Sequence, residues 1–236
     1  MNYYNIYSLN RQGISHEYGI IIKTLFYFMN GRQKTMSSVL YIKANAKPEG
    51  QSKTFRISDE FISTYRKVHP DDKIKTLDLY KEGIDFLSAD DINTVFGPKT
   101  TGSRNHPILK YAYQFAEADK YVIAEPLWNL SIPAILKAYI DYICVTGITF
   151  KYTAEGAVGL CRNKKAINIS ARGGEYSVEP YSSFEMGDRY LRTIFGFLGI
   201  PDFTTVSADA LDIVGNDVEA IVGKAIGEAK EKAKSF

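Results

Sequence analysis

From Ser38 onward, short apolar runs alternate with stretches of helical period. Val39-Leu40-Tyr41-Ile42 has no polar break, the pattern of a strand covered on both faces. A polar loop from Ala44 to Gln51 leads to a helix starting at Ser52, a good capping residue, with Phe55, Phe61, Ile62 and Tyr65 among its apolar positions. Lys73 to Leu79 reads as a second strand, with Ile74, Leu77 and Leu79 apolar. Gly83 to Gly102 then reads as a long surface insertion, with a short helix expected in Ser88 to Phe96 behind another capping residue.

A helix expected over His106 to Ala118 precedes a third strand, Tyr121-Val122-Ile123-Ala124. The turn that follows opens a further helix with Ile132, Ile135, Leu136, Tyr139, Ile140 and Ile143 on one stripe. Thr146 to Leu160, rich in Gly and aromatic residues, predicts an irregular arm or hairpin. Ala166-Ile167-Asn168-Ile169 is a fourth strand, and a helix from Met186 to Leu198 stops at Gly199-Ile200-Pro201. Phe203 to Val206 is a fifth strand. The last helix carries Val218, Ile221, Val222, Ala225, Ile226 and Ala229 on one face.

Five strands alternating with helices predict an α/β domain: a parallel sheet covered on both faces. The expected topology is flavodoxin-like, order 2-1-3-4-5, because the loops after strands one, three and four carry ligand chemistry and would converge beside the switch point of the sheet.

Residues 1–36 differ from this pattern and are read as an N-terminal extension to a domain of residues 37–236. Their apolar run, Gly19 to Met29, is interrupted by Lys23 and too short to span a bilayer, and no small-residue cleavage site follows. Gly31-Arg32 can be encoded by a purine-rich ribosome-binding sequence, so residues 1–35 are expected to be a translated leader before a start at Met36. The alternative is an amphipathic appendage on the body or on a membrane surface.

The whole chain carries a net charge of +2. Arg11, Lys23, Arg32 and Lys34 against Glu17 put residues 1–36 at +3 and leave the remainder at −1. A folded body without basic excess argues against nucleic acid as partner. Cys144 and Cys161 lack metal-ligand spacing and are too few for a disulfide framework, which points to buried thiols in a reducing, cytoplasmic compartment. His16, His69 and His106 are dispersed, so no zinc site or nucleophilic triad is expected. Gly97 to Ser103 lacks the Gly-Lys-Ser/Thr ending of a nucleotide phosphate loop.

Three loops remain as candidates. Ser52, Lys53 and Thr54 open a helix, whose unpaired first-turn N–H groups and partial positive charge favour a phosphate. The same residues would also serve simply as a cap. After strand three, Trp128 could lie along a flat ring while Asn129 offers a donor and an acceptor to a heterocycle edge; a core Trp with a turn-forming Asn is the plainer alternative. After strand four, Gly173 and Gly174 permit close backbone approach and Arg172 could supply positive charge to a ligand, or the segment is a tight turn with a surface Arg.

Taken together these segments resemble the FMN-dependent NADH-azoreductase family, flavodoxin-like enzymes related to quinone reductases. The resemblance covers Ser38 to the C-terminus. It is carried by Pro126-Leu127-Trp128-Asn129-Leu130 with Pro133-Ala134, by Leu136 to Asp141, by Gly147 to Tyr152 with Gly159-Leu160, and by Arg172-Gly173-Gly174. It implies bound FMN, with Ser52, Lys53 and Thr54 at the phosphate, Pro126, Leu127, Trp128, Asn129 and Leu130 along the ring, and Ala171, Arg172, Gly173 and Gly174 as a second flavin loop. Ala44-Asn45 and Ala171 depart from serines common in the family. The resemblance further implies hydride exchange in two steps, from NADH or NADPH through FMN to a quinone or azo compound, with no protein acid or base. It also implies a homodimer whose pockets are completed by both chains. Phe150 and Tyr152 are expected as pocket walls, or as ordinary packing of the arm. The rival classes are a flavodoxin-type electron carrier and a non-catalytic module on the same fold.

Overall fold

The computed structural model describes residues 36–48 and 50–236; the leader or appendage expected over residues 1–35 lies outside the described residues. The elements are β1 (Ser38–Lys43), α1 (Lys53–Val68), β2 (Lys73–Asp78), α2 (Ala89–Phe96), a 3-10 turn (Thr101–Asn105), α3 (Leu109–Glu117), β3 (Lys120–Pro126) and α4 (Ala134–Ile143). A hairpin of β4 (Phe150–Thr153) and β5 (Gly156–Gly159) follows. Then come β6 (Lys165–Ala171), α5 (Gly187–Leu198), β7 (Asp202–Ala208) and α6 (Val218–Ser235). The main sheet is β2-β1-β3-β6-β7, parallel throughout. The hairpin strands lie outside it, so the order among sheet strands is the expected 2-1-3-4-5.

Alternation along each strand divides the interior in two, because successive side chains point to opposite faces. Val39, Tyr41, Val122, Ala124, Ile167, Ile169 and Val206 pack beneath α1 and α6. In α6, Ala225, Ala229 and Ala233 present only small side chains to this core. Leu40, Ile42, Tyr121 and Ile123 point the other way, against Phe115 of α3, Leu136, Tyr139 and Ile140 of α4, and Leu191 and Phe195 of α5. Both faces of the central strands β1, β3 and β6 are buried, which is why these three read as nearly unbroken apolar runs.

Several boundaries follow from local chemistry. Ser52 caps α1, its Oγ accepting the Phe55 N–H at 3.1 Å. Ser88 and Asp91 form a reciprocal capping box on α2. At the end of α5, Gly199 takes a left-handed conformation (φ 100°) that its missing Cβ allows, and Ile200 turns into the core.

The segment expected as a surface insertion is anchored instead. Ile84 and Val95 are buried, and Leu87 packs on the same core. Helix α3 starts at Leu109 rather than at His106, because His106 closes the preceding 3-10 turn, Pro107 follows it, and His106 Nδ1 accepts the Ile108 N–H at 3.2 Å. The expected arm is the β4–β5 hairpin. It sits against the end of α5, where Cys161 N–H donates to the Leu198 carbonyl at 2.9 Å. A Cβ on Gly159 would lie 2.2 Å from the Leu198 backbone carbon, so only glycine fits.

Candidate functional site

The carboxyl ends of the central strands β1, β3 and β6 lie side by side at one end of the sheet, and the loops that leave them line a cavity of about 90 Å3. The loop after β1 is held by Asn45, whose Nδ2 donates to Ser52 Oγ at 2.8 Å while its Oδ1 accepts the Lys47 N–H at 3.0 Å. These bonds aim the first turn of α1 at the cavity. Helix geometry leaves the N–H groups of Lys53 and Thr54 without partners inside the helix. Both residues line the cavity, and Thr54 Oγ1 is buried with no hydrogen-bond partner. Such an atom costs stability unless a ligand supplies its partner.

Pro126, Leu127 and Trp128 form the next wall. Trp128 is 37% exposed, so it is not a core residue. Asn129 and Leu130 sit at φ 50° and 67° in a tight turn closed by Trp128 and Ser131, whose N–H groups donate to each other's carbonyls at 2.9 and 3.1 Å. Two positive φ values are the signature of a type I′ turn, and a leucine there is strained. The Leu130 carbonyl accepts the Met186 N–H at 3.0 Å, which ties this loop to the start of α5.

Ala171, Arg172 and Gly173 complete the enclosure with Leu211 and Asp212 from the loop after β7. Backbone bonds clip these two loops together: Arg172 N–H to the Ala208 carbonyl at 2.8 Å, and Asp212 N–H to the Gly173 carbonyl at 3.0 Å. Asp212 Oδ1 stands 4.0 Å from Lys53 Nζ across the opening.

Eight of the expected cofactor residues therefore share one cavity: Lys53, Thr54, Pro126, Leu127, Trp128, Ala171, Arg172 and Gly173. Others are placed differently. Ser52 is fully buried and its Oγ accepts from both Phe55 and Asn45, so it shapes the loop rather than facing the cavity. Asn129 and Leu130 are exposed and set the turn. Gly174 gives way to the Tyr176 ring, which a Cβ there would meet at 2.8 Å. Arg172 is neither a surface residue nor a free cation: it is 4% exposed, with Glu185 Oε1 at 3.5 Å and Asp209 Oδ1 at 3.7 Å.

The two residues expected as pocket walls, Phe150 and Tyr152, lie on the hairpin. Phe150 is buried and packs on Phe197 at a centroid distance of 4.9 Å, while Tyr152 stands 70% exposed on the hairpin. Neither lines this cavity. Sequence reasoning missed Lys47, Leu211 and Asp212 as lining residues, and Glu125, a carboxyl fully buried just behind Pro126.

The cysteines are chemically quiet. Burial lifts the Cys144 thiol to about 12 and the Cys161 thiol to about 11, so neither offers a thiolate near neutral pH. Among the described residues no cluster of His, Cys, Asp and Glu is suited to a metal ion, and no helix is long and apolar enough to cross a membrane.

Residues 37–233 match the flavodoxin-like fold family. The FMN-dependent NADH:quinone oxidoreductase 2 of Clostridium acetobutylicum is 68% identical over 201 residues, 85% of this chain and 100% of that protein. The crystal structure of an azoreductase from Bacillus anthracis str. Sterne is 39% identical with a TM-score of 0.77, covering 85% of this chain and 100% of that one. An FMN-dependent NADH-azoreductase from Bacillus anthracis str. Ames Ancestor, solved in complex with FMN, is 28% identical with a TM-score of 0.77 over 85% and 99% of the two chains. The chain therefore belongs to the flavodoxin-like family of FMN-dependent NADH:quinone oxidoreductases.

Proposed function

We propose that this protein is an FMN-dependent oxidoreductase that passes electrons from NADH to quinones and aromatic azo compounds. The observation that carries the reading is the unpartnered Thr54 hydroxyl beside Lys53, at a helix N-terminus that shares its cavity with a half-exposed tryptophan. That donor set suits a phosphate at one end and a flat ring at the other. Lys53, Thr54 and the free N–H groups of α1 would hold the phosphate. Pro126, Leu127 and Trp128 would support the ring, with Ala171, Arg172 and Gly173 opposite. Ser52, Asn129, Leu130 and Gly174 contribute by fixing the loops.

A volume of about 90 Å3 is far below the ~300 Å3 at which ligand pockets begin. It has room for a phosphate and part of a polyol chain, which leaves the remainder of the cofactor to the open side where Trp128 stands. Bound FMN supplies the two-electron chemistry. The chain supplies orientation, a fixed field and an open face on which donor and acceptor stack in turn.

We further propose a cytoplasmic homodimer. Trp128, Leu130, Tyr181, Phe184 and Met186 are exposed, and the Leu130–Met186 hydrogen bond joins the loops that carry them. Exposed apolar groups grouped in this way mark an interface, and a second chain would wall the open side of each cavity. Sedimentation as a monomer at micromolar concentration would reject the dimer. The function itself is tested by anaerobic stopped-flow mixing of FMN-loaded protein with NADH, then with a quinone or an azo dye. Rapid bleaching followed by rapid recolouring is expected. Bleaching without acceptor turnover would make the protein an electron carrier, and failure to bind FMN would overturn the reading.

A further inference from the structure

Behind the cavity, the carboxyl ends of β3 and β6 bury a polar cluster of which the proposed function uses only Arg172. Glu125 and Ser170 are paired across the two strands, and Glu125, Asn168, Ser170 and Arg172 are each at most 5% exposed. Asn168 Nδ2 donates at 3.2 Å both to Glu125 Oε1 and to Asp188 Oδ1 at the start of α5. Asp188 is also held by Arg192 Nε at 2.6 Å. Glu185 is fixed as well, accepting the N–H groups of Asp188 and Arg189 at 2.9 and 3.3 Å.

Four side-chain atoms of this cluster lack a hydrogen-bond partner, Asn168 Oδ1 and Ser170 Oγ among them. Glu125 Oε2 has no hydrogen-bond donor, and Arg172 Nε has no acceptor. The remaining guanidinium nitrogens of Arg172 already face Glu185 and Asp209. With Glu125 neutral, Arg172, Glu185 and Asp209 sum to one negative charge; with Glu125 ionised they sum to two, and a third carboxylate competes for a single guanidinium.

We propose that Glu125 is a positioning residue for the cofactor loop: acting through Arg172, its carboxyl sets the charge and the hold of the wall formed by Ala171, Arg172 and Gly173, so that loss of its proton weakens binding of the anionic cofactor. The titration lies in the working range. Burial, with Glu185 adding to it, lifts Glu125 to about 7, while the Asn168 hydrogen bond, the Ser170 hydroxyl and the Arg172 charge pull it back. The charged groups placed around it are Arg172 after β6, Glu185 and Asp188 at α5, and Asp209 after β7. The inference rests on the proposed use of FMN, and its sign is fixed by charge. An anion placed before Arg172 raises the proton affinity of Glu125, so binding takes up a proton and weakens as pH rises.

The test is the FMN dissociation constant of the apoprotein between pH 7 and 9, above most of the phosphate's own titration at about 6, for the native chain and for Glu125→Gln. For a shift of one pK unit on binding, the native chain weakens about fivefold over that range. Glu125→Gln keeps its affinity within about twofold. Parallel profiles for the two proteins, or a flat native profile, would overturn the proposal. Should the variant not fold, calorimetry of the native chain in two buffers of different ionisation heat decides: proton uptake on FMN binding at pH 7.5 supports the role, and its absence refutes it. No FMN binding at any pH refutes the functional reading instead.

Discussion

Replacing Thr54 by Val should move stability and affinity in opposite directions. Thr54 is buried at the first turn of α1, and its Oγ1 has no partner. Leaving a buried hydroxyl unpaired costs about 1–3 kcal/mol. Valine keeps the shape and exchanges that hydroxyl for a methyl group, so the apoprotein should gain about 1 kcal/mol. In the FMN-bound protein the same hydroxyl would donate to a phosphate oxygen. A hydrogen bond to a charged group is worth about 1.5–3 kcal/mol, so FMN should bind about tenfold to a hundredfold more weakly. Thr54→Ser, which keeps the hydroxyl, should retain most of the affinity. Urea unfolding of the apoprotein followed by circular dichroism reads the first quantity, and quenching of flavin fluorescence reads the second. A Thr54→Val protein that binds FMN within twofold of the native chain, or whose apo form loses stability, would refute the assignment of this hydroxyl to the cofactor.

Trp128→Ala should cost the apoprotein little, since the ring is already 37% exposed, yet weaken FMN about threefold to tenfold through lost aromatic contact; unchanged affinity would remove Trp128 from the ring site. Asp212→Asn should tighten FMN about twofold to fivefold at low salt, because an exposed carboxylate beside Lys53 opposes a phosphate; the gain should fade at high salt, and a loss of affinity would contradict the placement. Gly159→Ala should destabilise the fold by about 1–3 kcal/mol in denaturant, because its Cβ meets backbone at the end of α5; native-like stability would show that the hairpin is not seated there. Glu125→Gln should change stability with pH. Below pH 4.5 the native carboxyl is protonated folded or unfolded; from 4.5 to about 7 only the unfolded chain gives up the proton, so folding loses about 1.4 kcal/mol per pH unit, and above 7 the penalty is level. The variant should match the native chain near pH 4 and exceed it by about 3 kcal/mol at pH 8; a constant difference across that range would show that Glu125 does not titrate as described.

The fold was legible where physics leaves a one-dimensional trace. Strands β1, β3 and β6 are covered on both faces, so Val39 to Ile42, Tyr121 to Ala124 and Ala166 to Ile169 are nearly unbroken apolar runs. The end of α5 was marked by Gly199 and Pro201. The loop around Trp128 was legible from its residue types and its place after a strand. What escaped depends on neighbours far along the chain. Arg172 looks available to a ligand until Glu185 and Asp209 close on it. Ser52 has the same chemistry as a cap and as a phosphate donor, and only the bond from Asn45 decides between them. Leu211 and Asp212 lie in a stretch without periodicity and reach the cavity because β7 ends beside β6. Glu125 reads as the start of a turn, yet β3 continues through Pro126 and buries it. Phe150 was named for its aromatic character, which serves the interior equally well.

The most direct test of the central claim is a crystal structure of the protein grown with FMN. The account predicts the cofactor phosphate at the first turn of α1, within hydrogen-bond distance of Thr54 Oγ1, and the flavin ring beside Trp128. FMN bound at another face, or a cavity left empty under saturating FMN, would contradict it.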